Sequence, residues 1–356
     1  MNWIELGRIN DFRDFSYRHW SNGIILGYLI YFSVEDGITI KDAVSLKTIY
    51  NNRGYAGSIM NYYVFNNQLF FCADNRLFQF DFELNKLNPI CETEESQIGM
   101  LSMNIAVGGT YSRRPRINKY EIIRINGCKP FYKWENKDAP IHESNDDIVI
   151  FENTFEGSLK GVLIEKSEKL WSLPLIGFSI PRFYKSLSEN LFLFMQSFDT
   201  SHPVDKRYEL WGINKQTGEI LYKSSGDHFN TYIFVEKFKK LVGIRGQRYL
   251  SVDPMTGEIL RNHKIDDLGE GLNSLWANIG RQSVSGDYIN FTVSREPLIG
   301  RFNIKSEKLE EFIEIDIDKT KVDPRMPLET PIVHQGFLYV RDNSGVMHIL
   351  KNTMPV

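Results

Sequence analysis

Residues able to do chemistry are scattered along this chain. The seven histidines, His19, His142, His202, His228, His263, His334 and His348, show no His-Glu-x-x-His or comparable ligand spacing. A nucleophile needs a base within hydrogen-bond reach and a third group to orient it. The chain has no Gly-x-Ser-x-Gly elbow, phosphate-binding loop or dinucleotide fingerprint, and Gly108-Gly109 is an isolated pair suited to a strand end or bulge. The three cysteines, Cys72, Cys91 and Cys128, are odd in number and show neither Cys-x-x-Cys nor adjacent spacing. That pattern argues against a disulfide framework and a zinc site, and reads as three reduced, structural residues. The expectation is a chain with no catalytic residue, cofactor or metal.

Charge offers more. The net charge of −3 is too small for whole-chain electrostatics to select nucleic acid or a membrane. Locally, acids gather: Glu92, Glu94 and Glu95 in CETEESQ, Glu135 and Asp138 in ENKDAP, Asp266, Asp267 and Glu270 in DDLGE, Asp316 and Asp318 in EIDID. One basic stretch, YSRRPRINK, sets Arg113 and Arg114 beside Tyr111. Arginine with an aromatic can grip nucleic acid through phosphates and stacking. A single basic stretch among several acidic ones points instead to a basic protein partner.

The elements that must carry these residues repeat from end to end. YELWGINKQTGEILY (Tyr208 to Tyr222) and RYLSVDPMTGEILR (Arg248 to Arg261) share the string TGEIL, and KSEKL occurs at both Lys166 and Lys305. Weaker copies are ITIKDAVSLKTIY, LFQFDFELNKLNPI, YEIIRINGCKPFYKW, VLIEKSEKLWSL, RFNIKSEKLEEFIEI and VMHILKN. Each is a strand, a polar turn and a second strand, preceded by two more strand candidates such as Ser58 to Phe65 and Gln68 to Cys72. No sustained helical period is present and no apolar run approaches the roughly 18 residues of a membrane helix. Four strands in about 40 to 50 residues is the unit of a β-propeller blade. The expectation is therefore an all-β, eight-bladed propeller in which residues 1–356 form one domain. Seven is the alternative count if weak strands at Lys240 and Ile105 are discounted. The last unit lacks a fourth strand, so residues 2–9 (WIELGRI within them) are expected to pair there and close the ring, removing an unpaired edge.

These residues resemble the pyrroloquinoline-quinone-type propeller repeat. Asp42, Asp81, Asn126, Asn214 and Asp253 fall at its Asp position, and Tyr50, Trp134 and Tyr222 at or near its closing aromatic. The resemblance implies that the Asp or Asn side chain caps the turn and that the following Gly accepts positive φ. Quinoprotein dehydrogenases sharing the repeat would require an adjacent cysteine pair, which this chain lacks. The outer-membrane assembly lipoprotein that shares it would require a signal peptide and lipidated cysteine. MNWIELGRINDFRDF has neither the basic-then-apolar pattern nor the cleavage site of a secretory signal, so the cytoplasm is expected. In type, the chain also resembles large immunity proteins of bacterial polymorphic-toxin systems. That implies a partner that is a basic toxin nuclease domain, neutralised by occlusion. The competing expectations are a carbohydrate- or metabolite-directed lyase or hydrolase working at the central channel, and a scaffold in a larger assembly.

Overall fold

The structure is a computed structural model that describes residues 3–9, 24–25, 27–33, 37–55, 60–65, 68–95, 97–100, 104–111, 118–136, 138–144, 148–153, 157–163, 166, 168–175, 183–188, 191–198, 207–226, 228–229, 232–269 and 275–353. Among them are eight four-stranded antiparallel sheets, three short 3-10 turns and no α-helix. In chain order, sheet I holds β2 (Ile24–Ile25), β3 (Tyr28–Ser33), β4 (Gly37–Asp42) and β5 (Thr48–Asn52). Sheet II holds β6 (Met60–Phe65), β7 (Gln68–Ala73), β8 (Arg76–Asp81) and β9 (Lys86–Glu92). Sheet III holds β10 (Gln97–Met100), β11 (Ile105–Tyr111), β12 (Asn118–Arg124) and β13 (Lys129–Asn136). Sheet IV holds β14 (Asp138–Ser144), β15 (Ile148–Asn153), β16 (Ser158–Leu163) and β17 (Glu168–Pro174). Sheet V holds β18 (Phe183–Ser186), β19 (Leu191–Phe198), β20 (Arg207–Asn214) and β21 (Ile220–Gly226). Sheet VI holds β22 (Ile233–Val235), β23 (Lys240–Arg245), β24 (Arg248–Val252) and β25 (Ile259–Lys264). Sheet VII holds β26 (Ala277–Ser285), β27 (Tyr288–Val293), β28 (Leu298–Asn303) and β29 (Lys308–Glu314). Sheet VIII joins β30 (Ile332–His334), β31 (Phe337–Arg341) and β32 (Met347–Asn352) to the amino-terminal strand β1 (Trp3–Ile9), which pairs antiparallel with β32.

Two compact units emerge: residues 1–57, 231–253 and 258–356, and residues 58–230 with 254–257. In the first, apolar clusters bind sheet VI to VII, VII to VIII and VIII to I. In the second they bind II to III, III to IV and IV to V. Second strands such as β7 and β27 are buried almost continuously, as expected where both faces are covered, whereas outer strands such as β21 alternate with solvent.

The outermost strand pair of every sheet, a hairpin in sheets I to VII and β1 with β32 in sheet VIII, carries one register shift, a β-bulge. An Asx cap sets its turn, as expected: the Oδ1 atoms of Asp42, Asp81, Asn214 and Asn303 each accept backbone N–H groups two and three residues on. Four residues after the cap position the chain is left-handed, at Leu46, Asn85, Cys128, Gly218, Gly257 and Glu307. Two sequence assignments shift by this register. Arg124 pairs with Lys129 as Asp81 pairs with Lys86, so Arg124, not Asn126, holds the cap position of sheet III. Likewise Tyr132, not Trp134, follows its bulge.

At four junctions the residue after the bulge faces the left-handed turn position of the next sheet. Trp171 packs on Gly218, where an added Cβ would lie 2.6 Å from the indole, and its Nε1–H donates to the Lys215 carbonyl at 2.8 Å. Tyr222 packs on Gly257 in the same way and donates to the Pro254 carbonyl at 2.5 Å. Arg261 Nε donates to Glu307 Oε1 at 3.1 Å. At the junction of sheets II and III the pair is Cys91–Cys128, a disulfide with Cα atoms 5.2 Å apart. The expectation of three reduced cysteines is thereby corrected: the two lie 37 residues apart in sequence but at facing positions of adjacent sheets, and only Cys72 is a free thiol, wholly buried.

Candidate partner-binding surface

The predicted acids meet different fates. Glu92 is 3.8 Å from Arg76 Nε, and Glu94 is 3.9 Å from Lys133 Nζ. Glu95 is half-buried and its backbone N–H donates to Thr93 Oγ1 at 3.1 Å. Asp316 pairs with Arg8 at 2.9 Å. Asp318 accepts from Thr320 and pairs with Lys321 at 3.0 Å, which together hold its carboxyl down at about 2. These local cations neutralise charge that the sequence suggested would project outward. Glu135 and Asp138 belong to β13 and β14, with one residue between the strands, so they end strands rather than extend a connector; their side chains lie outside the described residues. Arg113, Arg114 and Glu270 also lie outside the described residues.

Asp266 and Asp267 are different. They sit exposed on a 3-10 turn, 266–268, and neither forms an ion pair among the described residues. The connector carrying them is tied down around the Gly246-Gln247 turn. Ile265 N–H donates to the Gln247 carbonyl at 2.7 Å and Gln247 Nε2 donates to the Gly269 carbonyl at 2.8 Å. Leu268 is 1% exposed, plugged into the core between sheets VI and VII. Leu275 N–H returns to the Leu268 carbonyl at 2.7 Å, and Ala277 exchanges backbone hydrogen bonds with Gly246.

This anchoring displays Trp276. Its carbonyl accepts from Ser294 N–H at 2.6 Å and its ring lies over Gly246, yet 56% of the residue faces solvent. Gly246 has φ of +60°, and a Cβ there would approach the ring to 3.0 Å, so glycine serves both the turn and the stacking. Beyond Ser294, the Arg325 carbonyl accepts from Arg295 N–H at 3.1 Å, and the neighbouring Met326 is 44% exposed. The sequence, read for charge and for catalytic constellations, did not single out Trp276. The available signal was its position after a Gly- and Asn-containing stretch, beyond the last strand of one repeat and before the first of the next.

A separate cluster is sealed. His348, 1% exposed, stands between Glu5 Oε1 at 3.0 Å from Nδ1 and Asp342 Oδ2 at 3.2 Å from Nε2. Burial pushes both carboxyls up, but contacts with His348, with Arg8 at Glu5, and with the Val346 N–H and Ser344 at Asp342 outweigh it and hold both below the usual range. Glu5 rides on β1, so this clamp ties the amino-terminal strand to β32 and the Asp342 turn. Among the described residues no group of three or more His, Cys, Asp or Glu is arranged to hold a metal ion.

No protein-family model matches the chain, and no curated protein matches it. Solved structures do. The C-terminal WD40 domain of Sif2 is similar with TM-score 0.64 and 10% identity over 99% of each chain. Sqt1 of Saccharomyces cerevisiae is similar with TM-score 0.57 and 9% identity over 93% of this chain and 94% of its own. BamB from Moraxella catarrhalis is similar with TM-score 0.52 and 10% identity over 98% of this chain and 99% of its own. The fold is a β-propeller. At these identities the likeness concerns fold alone, and function must be argued from the site.

Proposed function

We propose that the eight sheets are the blades of one eight-bladed propeller, residues 1–356 forming a single domain closed by β1, and that it is a non-catalytic protein-binding module. The observation that supports this best is the pair of segments 265–269 and 275–277, with two exposed acids that have no ion-pair partner among the described residues and an exposed tryptophan on a backbone tied to the turn beneath. Tryptophan supplies large contact area at low entropic cost and dominates many interface hot spots, while unpaired charge at the rim steers association.

In its most specific form the module is an immunity protein acting in the cytoplasm. It would bind a toxin nuclease domain whose lysines and arginines otherwise grip nucleic acid, and occlude that surface. Asp266 and Asp267 favour a basic partner. The test is affinity capture of the tagged protein from its native cells, followed by expression of any stoichiometric partner alone. A basic partner that arrests growth by itself, and not when this chain is co-expressed, supports the reading. A non-toxic partner, or a partner captured equally well by the Asp266→Lys/Asp267→Lys variant, refutes it.

A further inference from the structure

Cys91 and Cys128 do more than join sheets II and III: both line a surface cavity of about 230 Å³ together with Arg76, Pro89, Ile90 and Glu92. The two sulfurs are not equivalent. Cys91 is 6% exposed and packs within the apolar cluster between the sheets, whereas Cys128 is half-buried on the turn that follows β12. Glu92 N–H donates to Cys128 Sγ at 3.3 Å, and Arg76 and Glu92, an ion pair at 3.8 Å, both line the cavity. The backbone donor favours a thiolate at Cys128, which readies it to attack an oxidised external disulfide, and its exposure relative to Cys91 makes it the sulfur an external thiolate reaches. Cys72 takes no part, since it is wholly buried and burial pushes its thiol well above the usual range.

We propose that Cys128 is a reversible thiol-exchange site and that the cavity admits a low-molecular-weight thiol such as glutathione. The external thiolate attacks Cys128 Sγ. A mixed disulfide forms there, the Cys91–Cys128 bond breaks, and Cys91 leaves with the electron pair and takes a proton from solvent. A second external thiolate attacks the external sulfur of the mixed disulfide and releases Cys128. The protein disulfide is thereby reduced by two electrons and two external thiols are oxidised to their disulfide. The reverse sequence begins with Cys128 thiolate attacking the oxidised external disulfide. Such exchange suits a chain working in a compartment where protein disulfides are transient.

The consequence is local. Cys91 immediately precedes Glu92 and the connector bearing Glu94 and Glu95, so opening the bond leaves that connector fastened by the apolar cluster and by hydrogen bonds such as Asn75 Nδ2 to the Thr93 carbonyl at 2.9 Å.

The experiment incubates the folded protein in glutathione buffers of graded redox ratio, quenches with acid, and reads the bond by intact mass and peptide mapping. The expected result is reversible opening without denaturant, a glutathione adduct on Cys128, and faster amide exchange confined to the 91–98 segment of the reduced protein. In the Cys91→Ser variant oxidised glutathione should modify Cys128 about tenfold faster than it modifies Cys91 in Cys128→Ser. The wild-type trapping stands even if either variant folds poorly. A bond that opens only where the whole protein unfolds, or an adduct found on Cys91, overturns the proposal.

Discussion

Gly218 is the position where a single methyl group should do most damage to a sheet junction. A Cβ at Gly218 would sit 2.6 Å from the Trp171 ring, so the indole must move by about 1 Å to restore ordinary contact. That movement stretches the bond from Nε1 to the Lys215 carbonyl, now 2.8 Å, whose loss costs about 1 kcal/mol. Overpacking adds about 1–3 kcal/mol, and the left-handed backbone at φ +72° adds about 1 kcal/mol for a non-glycine residue. Gly218→Ala should therefore cost about 3–5 kcal/mol. Gly336, at φ +78° with nothing within 4 Å of an added Cβ, isolates the backbone contribution, and Gly336→Ala should cost only about 1–2 kcal/mol. Unfolding entropy of roughly 2.1 cal/mol/K per residue gives about 0.75 kcal/mol/K for 356 residues. The Gly218→Ala loss then appears as a Tm drop of about 4–7 °C if the chain melts as one body. Combining Gly218→Ala with Trp171→Ala in a double-mutant cycle should recover about 2 kcal/mol as coupling. Equal costs at Gly218 and Gly336, or coupling under about 0.5 kcal/mol, would refute the idea that the ring and the glycine are one device.

Three further outcomes follow from the sites. Asp342 and Glu5 have carboxyls held below their ordinary values, so their stabilisation is present above about pH 4 and is lost as pH falls through the folded values. Asp342→Asn, which keeps the Oδ1 acceptor of the turn, should lower Tm at neutral pH and flatten its fall in acid; parallel curves for variant and wild type would count against the His348 clamp. Asp266→Lys with Asp267→Lys should slow association with a basic partner several-fold and weaken its salt dependence, read by stopped flow at two ionic strengths. Trp276→Ala should weaken the same complex about 30-fold, near 2 kcal/mol. Unchanged affinity would move the interface elsewhere.

Much of the fold was legible because the outer hairpin repeats a local code. TGEIL encodes a turn with positive φ and a bulge, the anchor being the residue that follows it, and two near-perfect copies were enough to expose six degraded ones. The pairing of β1 with β32 was legible from an arithmetic deficit, since the last unit ends one strand short. Less was legible in the candidate surface, for two physical reasons. Charge in a sequence carries no counterions: Asp316 and Asp318 read as outward acids until Arg8 and Lys321 are placed beside them. Partnership across sheets is also invisible in units that have lost their markers. LFQFDFELNKLNPIC has no Thr-Gly, and YEIIRINGCKPFYKW has Arg124 at the cap position, so nothing aligned Cys91 with Cys128.

Aligned by their bulges, the junctions show why the repeat tolerates such decay. Three positions vary together: the residue opposite the anchor on the third strand, the anchor itself, and the left-handed residue of the next turn. They read Gly161, Trp171, Gly218; Gly212, Tyr222, Gly257; Leu77, Cys91, Cys128; and Ser251, Arg261, Glu307. At the Trp171 and Tyr222 junctions the ring lies against glycine on both sides, and a Cβ at Gly161 or Gly212 would overlap it as surely as one at Gly218 or Gly257; Tyr50 and Tyr132 follow their bulges opposite Ile40 and Ile122, so this pairing belongs to those two junctions. A compact anchor leaves room for side chains at both positions. At the Arg261 junction, with Ser251 and Glu307 on either side, a single substitution to an aromatic should therefore fail where the full set succeeds. Arg261→Tyr alone inserts a ring against Ser251 and Glu307 and removes an ion pair that, exposed as it is, contributes under about 1 kcal/mol. That single variant should lose about 1–3 kcal/mol through overpacking. Adding Ser251→Gly and Glu307→Gly should restore about 2 kcal/mol relative to Arg261→Tyr, even though glycine in a strand ordinarily costs about 0.5–1 kcal/mol. Thermal melts of the single and triple variants decide it: if the triple variant melts no higher than the single one, the three positions do not act as one unit.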